Sequence, residues 1–304
     1  MIGYILGGLF LVGLGWYGIQ IRNLARRSIH RAFLEPLRSR DPRIQQTMEQ
    51  GERWLQTKPS TSLTIPAHDG LLLHALYVPC PASPSKLVLF VPGFGMTHKQ
   101  MLPYASLYPE TSLLFLDARA HGESEGTFLT FGQEEAKDLH TWVTWSLQQL
   151  GSNCSIILHG VSLGAASILL AAKDGQFPSQ VVQLVADAPF NDAEATLVHQ
   201  AKQRLKLPTW LYLSTLRLVF RYFYHFDLRA LSPAKALSSI PQPVFLLFGE
   251  KDSMVPAFMR EAFQQTQNPL KDHLLFLPHT GHGKAILDDP QGYQRFLEGH
   301  DLTS

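Results

Sequence analysis

The sequence is short of the residues and patterns that mark several classes of protein. It has two cysteines, Cys80 and Cys154, among 304 residues, and two free buried thiols are a simpler interpretation than a disulfide or a zinc site. Its 26 Lys and Arg against 25 Asp and Glu give a net charge of +1, without the basic excess of most nucleic-acid-binding proteins. It has no HExxH pair and no glycine-rich phosphate or dinucleotide fingerprint. We therefore expect no nucleic-acid partner, no metal and no cofactor.

One short segment carries a pattern that indicates nucleophilic chemistry. Ser162 lies within Gly160–Gly164 (GVSLG), after the apolar run 155–159 and before the helix-like run 165–172. A serine at a strand-to-helix turn is held in a strained bend with its hydroxyl exposed. Glycines flank it because a Cβ there would collide with the neighbouring strand and helix. The five-residue pattern alone is common, but its position between a strand and a helix makes Ser162 a candidate nucleophile.

An acid and a histidine follow Ser162 along the chain, each directly after a predicted buried strand. One strand pattern leads to Asp252, and the last leads into a glycine-flanked loop that contains His282. The carboxyl ends of parallel strands meet at one edge of an open α/β sheet, so we expect the three side chains to converge. Asp187, after another predicted strand, stays open as an alternative acid, and His279 stays open as an alternative base.

The hydrophobic periodicity predicts an α/β fold. Strand patterns alternate with helical ones, such as the amphipathic stretch 133–150, which is typical of a mostly parallel central sheet with helices on both faces. The turn pair Asp69-Gly70 predicts an antiparallel hairpin at the start of the sheet. The predicted strands are 63–65, 72–78, 86–91, 112–116, 155–159, 181–186, 243–249 and 273–278. Residues from about 190 to 238 interrupt this alternation, and we interpret them as a helical cap within one domain at 59–304.

The N-terminal residues differ from the rest of the chain. Residues 2–21 carry no charge over a length that suits a membrane-crossing helix, and arginines follow at 22, 26, 27 and 31. We predict an uncleaved transmembrane anchor at 1–21 and a juxtamembrane linker helix at 22–58. The positive-inside rule then predicts a single-pass cell-membrane protein whose main domain lies in the cytoplasm. The alternative is a soluble N-terminal helix buried in the fold.

Several segments together resemble one known family. They match motifs of the α/β-hydrolase superfamily over about residues 60–298, and they are Val91–Gly95, Asp117–Ser124, His159–Gly164, Gly249–Pro256 and Gly281-His282. More narrowly, the chain is similar to membrane-anchored bacterial serine hydrolases, akin to the BEM46-like and dipeptidyl-peptidase-like esterase groups. One departure is Pro92-Gly93, where the family usually has His-Gly after the third strand. The expected oxyanion donor there is a backbone N–H, so the loss of the histidine need not remove it.

The resemblance implies a serine hydrolase that cleaves a small-molecule acyl ester or thioester through an acyl-enzyme. It implies Ser162 as nucleophile, His282 as general base and Asp252 as the acid that orients the imidazole. The backbone N–H groups of Phe94 and Leu163 would form the oxyanion hole. A peptidase or amidase of the same fold, and a catalytically silent ligand-binding scaffold, stay open as alternatives.

Other polar residues near these motifs are expected to be structural. The relatives use the stretch corresponding to Asp117, Arg119 and His121 mainly as a structural loop, and we assign it no catalytic role. His159, just before the serine turn, is expected to be a core histidine with satisfied hydrogen bonds.

Overall fold

The computed structural model describes residues 2–31, 41–202, 209–268 and 271–298. The strands are β1 Thr61–Pro66, β2 Leu72–Val78, β3 Lys86–Val91, β4 Ser112–Leu116, β5 Ser155–Val161, β6 Val181–Asp187, β7 Val244–Gly249 and β8 His273–Leu277. The helices are α1 Ile2–Ile29, α2 Pro42–Gln56, α3 His98–Met101, α4 Gln133–Leu150, α5 Leu163–Ala172, α6 Ala193–Lys202, α7 Thr209–Phe223, α8 Pro233–Leu237, α9 Ala257–Thr266, α10 Ala285–Asp288 and α11 Pro290–Glu298.

Within these residues the strands form one sheet in the order β1-β2-β4-β3-β5-β6-β7-β8. In this order, all neighbouring strands from β4 to the β8 edge, including β3, pair in parallel. Strand β2 pairs antiparallel with both β1 and β4. The predicted hairpin is present: Pro66 pairs with Leu72, and Gly70 takes a φ of 87°, which favours glycine. The predicted α/β fold, with a mostly parallel sheet and an antiparallel start, is confirmed.

The central strands are apolar at almost every position because helices cover both faces of the sheet. On one face α4 and α5 bury Trp142 and Ile168 against the sheet. On the other face, Tyr104 of a short 3₁₀ helix at Leu102–Leu107 and Tyr293 of α11 lie in a second buried cluster. This second face also holds a set of buried polar groups that lies beneath the carboxyl edge of the sheet.

The predicted cap consists of α6, α7 and α8, which lie between β6 and β7, with residues 203–208 outside the described part. Helix α7 turns Tyr212, Leu216 and Phe220 into a buried cluster. Arg217 of α7 pairs with Glu194 of α6 through two hydrogen bonds of 2.5 and 2.6 Å. The buried face of this insertion therefore packs on α1 and on the start of α5.

Helix α1 crosses the boundary that we expected at residue 21. Ile21, Ala25 and Ile29 recur every four residues and are buried in the same cluster as the inner face of α7. In addition, the Tyr17 hydroxyl donates to Thr215 Oγ1 at 3.2 Å. The second half of α1 therefore packs on the cap helix, which differs from the predicted juxtamembrane linker.

The predicted linker at 22–58 is also interrupted, since a second helix begins inside it. Residues 32–40 lie outside the described part, and α2 begins afresh at Pro42 with Asp41 as its N-cap. Asp41 also accepts a hydrogen bond of 2.9 Å from Lys284 Nζ, which ties this helix start to the loop before α10. Helix α2 lies so close to the 3₁₀ helix at Leu102–Leu107 that a Cβ on Gly51 would come within 2.8 Å of Leu102 Cβ.

The predicted membrane anchor at residues 1–21 is not confirmed. Across the described residues, we find no helix that combines the length and the apolarity needed to cross a bilayer. The predicted location in the cell membrane, with the main domain in the cytoplasm, stays a prediction. Cys80 and Cys154 are both free; Cys154 is buried as expected, whereas Cys80 is partly exposed.

Candidate active site

Ser162 occupies a strained turn between β5 and α5. Its φ of 53° and ψ of −112° are rare for a residue with a side chain, and strain of this kind persists where the surroundings fix it. A Cβ on Gly164 would lie 2.1 Å from the Val91 carbonyl oxygen, and one on Gly160 would lie 2.6 Å from Ala165 N. Both glycines are therefore required by close backbone approach, and together they fix the turn that presents the serine hydroxyl.

The structure brings the three predicted side chains together at the carboxyl edge of the sheet. His282, in the loop after β8, places its Nε2 2.8 Å from the Ser162 Oγ. Its Nδ1 lies 2.7 Å from Asp252 Oδ2, in the loop after β7. The three loops follow β5, β7 and β8, so the parallel sheet itself sets the convergence.

Asp252 is held as a carboxylate by its surroundings. It is 4% exposed, and Oδ1 accepts hydrogen bonds from the backbone N–H groups of Met254 and Val255 at 2.8 and 2.9 Å. Burial alone would raise the pKa of Asp252, but the His282 hydrogen bond and charge, together with these N–H groups, outweigh burial and lower the pKa below its usual value. An ionised Asp252 accepts from the Nδ1–H of His282, which leaves Nε2 free to accept the serine proton.

The alternative acid and base take other positions. His279 is exposed, whereas the side chain of His282 is 19% exposed and contacts both partners. Asp187 lies at the end of β6 and is buried, and among the described residues the hydrogen bond of His282 Nδ1 is to Asp252 and not to Asp187. Within the described residues, the geometry favours Asp252 and His282 over their alternatives.

The predicted oxyanion donors lie on two segments that meet beside Ser162. Leu163 is the first residue of α5, where backbone N–H groups have no partner within the helix. Phe94 follows Gly93, where a Cβ would lie 3.3 Å from Ser162 Cβ, so this loop passes directly against the nucleophile. The Phe94 and Leu163 side chains belong to one apolar cluster that continues to α7.

His121 holds the loop at Gly93–Gly95 in place, a role that sequence reasoning missed. Burial lowers the pKa of His121, so its ring is neutral. The Nδ1–H donates to the Arg119 carbonyl oxygen at 2.8 Å, and Nε2 accepts from the Gly95 N–H at 3.1 Å. The Asp-x-Arg-x-His motif marked a structural loop, but nothing in the sequence paired it with Gly95.

The remaining polar groups of that motif are saturated with hydrogen bonds, as expected of a structural loop. Arg119 forms two bonds of 2.7 and 2.6 Å with Asp138 of α4. Asp117 lies with His74 and His98 in a cluster whose donor atoms are within 4.8 Å, a spacing that could hold a metal ion. However, the Asp117 carboxylate already accepts from both rings and from backbone N–H groups, so the cluster is a hydrogen-bonding hub.

His159 is a fully buried histidine, as predicted, and two tyrosines satisfy its ring. Burial lowers the pKa of His159 to about 3, so it stays neutral. The Tyr108 hydroxyl lies 3.0 Å from Nδ1, and the Tyr293 hydroxyl lies 2.7 Å from Nε2. The two tyrosines lie far from His159 in sequence, and no pattern indicated their contact with it.

Comparison with known proteins is consistent with this fold. Residues 88–295 match the alpha/beta hydrolase family, and the protein belongs to that family. It is 24% identical over 242 residues to the uncharacterized protein YqkD of Bacillus subtilis strain 168, with 78% of each chain covered. The narrower resemblance to membrane-anchored groups is not confirmed by these matches.

Solved structures of similar fold include two hydrolases. The Pyrococcus furiosus esterase Pf2001 matches with a TM-score of 0.63 and 22% identity, over 80% of this chain and 93% of the other. An alpha-beta hydrolase from Vibrio vulnificus matches with a TM-score of 0.65 and 17% identity, over 91% and 92%. At such identities these likenesses show the shared fold.

Proposed function

We propose that the protein is a serine hydrolase of carboxylic esters. The observation that carries this proposal is the 2.8 Å contact between the Ser162 hydroxyl and His282 Nε2, at a strained turn built by two close-packed glycines. An ordinary serine hydroxyl is a weak nucleophile near neutral pH, and a base within hydrogen-bond reach is what activates it. Membership of the alpha/beta hydrolase family supports the same reaction class.

The proposed mechanism follows from the hydrogen-bond directions. Ser162 Oγ attacks the ester carbonyl carbon while His282 Nε2 takes its proton, and Asp252 stabilises the imidazolium that forms. The imidazolium then returns the proton to the leaving alkoxide, and an alcohol departs as the acyl-enzyme forms. Water attacks the acyl-enzyme by the same route in reverse, releasing the carboxylic acid and regenerating Ser162.

The negative charge on the carbonyl oxygen would be held by the N–H groups of Phe94 and Leu163. Donors fixed in advance by the fold stabilise such a charge without reorganising, and losing one typically costs a factor of about 100 to 1,000 in turnover. The contact between His121 and Gly95 fixes the loop that carries Phe94. This support replaces the histidine that the family usually has next to the loop glycine.

An acyl ester is the substrate class that the surroundings favour. The partly exposed Phe94 side chain packs on a buried apolar cluster that includes Leu163 and Phe190 and continues to helix α7. Such a surface suits the apolar part of a small acyl ester or thioester. A matched protein of the same fold, Pf2001, is named an esterase, which supports the ester over other acyl compounds.

Labelling and hydrolysis test the proposal directly. We expect the full chain to react with a fluorophosphonate probe at Ser162 and to hydrolyse p-nitrophenyl acyl esters. Ser162→Ala should lose the label and lower kcat by about 10,000-fold or more, because the other groups act only through this nucleophile. His282→Ala should behave similarly. The control is Ser179→Ala, an exposed serine before β6, which should keep both activities. Labelling that persists in Ser162→Ala would contradict the proposal.

Two alternatives give different results in the same assays. A peptidase or amidase would turn over aminoacyl amides at a rate comparable with the matched esters. A catalytically silent scaffold would stay unlabelled while circular dichroism showed it to be folded. Preference for the ester over the amide by a large factor in kcat/KM is the outcome that we expect.

A further inference from the structure

A chain of buried polar side chains runs beneath the triad on one face of the sheet. Tyr108 contacts His159 Nδ1 at 3.0 Å, and His159 Nε2 contacts the Tyr293 hydroxyl at 2.7 Å. The Tyr293 hydroxyl in turn lies close enough to the Asp187 carboxyl to favour its ionised form and lower its pKa. These groups come from the end of the 3₁₀ helix, β5, α11 and β6, so the chain joins four separate elements.

The end of this chain lies directly beside the nucleophile. Asp187 is the last residue of β6, and its carbonyl oxygen accepts from the Ser162 N–H at 2.7 Å. Its carboxyl is close enough for its charge to interact with His282 and Asp252. Asp187 is 2% exposed, and its Oδ2 has no hydrogen-bond partner among the described protein groups. A buried, unpaired carboxyl oxygen is costly and calls for an explanation in function.

The direction of the hydrogen bonds in the chain depends on the charge of Asp187. His159 is neutral, so one ring nitrogen donates and the other accepts. When Asp187 is ionised it must accept from the Tyr293 O–H, so Tyr293 accepts from Nε2–H and Nδ1 accepts from Tyr108. When Asp187 is protonated, it can donate to Tyr293, and the whole chain can reverse. The chain therefore stabilises both charge states of this carboxyl.

Several titratable groups face Asp187 from the elements around it. They are His159 of β5, Tyr104 and Tyr108 of the 3₁₀ segment, Asp252 after β7, His282 after β8 and Tyr293 of α11. Burial raises the pKa of Asp187 to about 7, while His282 and Tyr293 act to lower it and Asp252 acts to raise it. Its charge therefore changes within the pH range in which a serine hydrolase works.

We propose that Asp187 is a positioning residue that acts through His282, as a second carboxylate beside the imidazolium. This inference rests on the proposed serine-hydrolase function. As Ser162 attacks and His282 gains a proton, an ionised Asp187 stabilises the positive charge on the imidazolium together with Asp252. Tyr293 and His159 hold the carboxylate in place, and the unpaired Oδ2 keeps its negative charge uncompensated until His282 is protonated.

The test is the pH profile of kcat/KM between pH 5 and 9, with p-nitrophenyl butyrate as substrate. The wild type should show an ionisation near pH 7 on the acid side of the profile that belongs to Asp187. Asp187→Asn keeps the shape of the side chain but removes its charge. The ionisation near pH 7 should therefore vanish from the profile. At pH 8, kcat should fall by about tenfold while KM stays unchanged. Tyr293→Phe removes one stabilising hydrogen bond, so the same ionisation should move to higher pH.

A purely structural role would give another result. It would lower kcat/KM by the same factor at every pH in Asp187→Asn, and this outcome would overturn the proposal. The infrared carbonyl band of a protonated carboxylic acid gives a readout without turnover: it should be present at pH 6, weaker at pH 8 and lost in Asp187→Asn. If Asp187→Asn does not fold, the shifted profile of Tyr293→Phe decides. A wild type that neither labels nor hydrolyses esters would instead overturn the proposed function and this inference together.

Discussion

The described part of the molecule contains two Ser–His–Asp chains with nearly the same hydrogen-bond distances. In the candidate active site the two hydrogen-bond distances are 2.8 Å from Ser162 to His282 and 2.7 Å from His282 to Asp252. In the second chain they are 2.9 Å from Ser62 to His74 and 2.8 Å from His74 to Asp117. Both acids follow strands of the sheet, Asp252 after β7 and Asp117 after β4. Distances within the three side chains therefore do not distinguish a catalytic site from a structural one.

The backbone around each serine makes the difference. Ser162 has a positive φ at the start of α5, next to the loop that carries Phe94, one of the two proposed oxyanion donors. Ser62 lies in the antiparallel strand β1, where its pairing partner is Leu76 and the ladder engages the backbone. Asp117 is also shared between His74 and His98, whereas the ring contact of Asp252 is with His282. Catalysis needs a place for the charge that forms on the substrate, and one of the two serines has it.

Asp252→Asn should have the largest effect among the tests of this comparison. An asparagine would accept poorly from His282 Nδ1–H and would favour the wrong imidazole tautomer, so we expect kcat to fall by about 10,000-fold. The measurement is ester hydrolysis at pH 8, with thermal unfolding as the check that the protein is folded. A fall of less than about tenfold would mean that Asp252 does not orient the base.

Asp117→Asn should act on stability. Burial would raise the pKa of Asp117, but hydrogen bonds from His98 and from the Glu123 N–H lower it to about 2. Because folding lowers the pKa of Asp117, its carboxylate stabilises the folded state at pH values above 3.8, the pKa in the unfolded chain. This stabilisation is lost as the pH falls towards 2, the pKa in the folded state. The shift from 3.8 to about 2 corresponds to about 2.4 kcal/mol of stability at pH 7. Urea unfolding at pH 7, 5 and 3 measures it, and we expect the difference from wild type to shrink at pH 3.

A loss of stability in Asp117→Asn that stayed the same at every pH would contradict this explanation. It would show that the amide disrupts the loop by its shape, without any contribution from the carboxylate charge. The activity of the folded fraction serves as the control. We expect kcat per folded molecule to stay within a few-fold of wild type, in contrast to Asp252→Asn.

The sequence predicts the frame of this molecule better than its buried polar contacts. Strands β3 and β4 match their predicted bounds, since runs covered on both faces are uniformly apolar and end at polar turns. Helix α4 matches its predicted range of 133–150 because its apolar spacing is regular. Ser162, Asp252 and His282 could be found because each follows a strand, and a parallel sheet brings such positions to one edge.

Contacts between distant segments could not be found in this way. Tyr293 approaches His159 across 134 residues, and its helix has no motif that indicates a polar role. The packing of α1 is a different case, because Ile21, Ala25 and Ile29 recur every four residues and give a usable signal. The uncharged run before these residues favours a membrane-spanning helix more strongly than their spacing favours packing in the fold. A helix that begins with such a run can nevertheless continue into the fold.

His121→Phe should have an intermediate effect, and it sharpens the comparison at the oxyanion loop. The ring is kept, but the acceptor for the Gly95 N–H is lost, so the loop that carries Phe94 gains freedom. We expect kcat to fall by about tenfold with little change in KM, because the donor acts on the transition state. His68→Phe, a partly exposed histidine paired with Glu134, is the control. A rise in KM alone would place the role of His121 in substrate binding.

Ser62→Ala should have the smallest effect, although the serine belongs to a complete Ser–His–Asp chain. The hydroxyl is on an exposed residue, so losing one hydrogen bond to His74 should cost about 1 kcal/mol or less in unfolding free energy. We expect kcat within twofold of wild type, and fluorophosphonate labelling that remains at one probe per chain. If Ser62→Ala lost part of the label, both serines would be nucleophilic. The strained turn at Ser162 would then not be the feature that distinguishes a catalytic serine from a structural one.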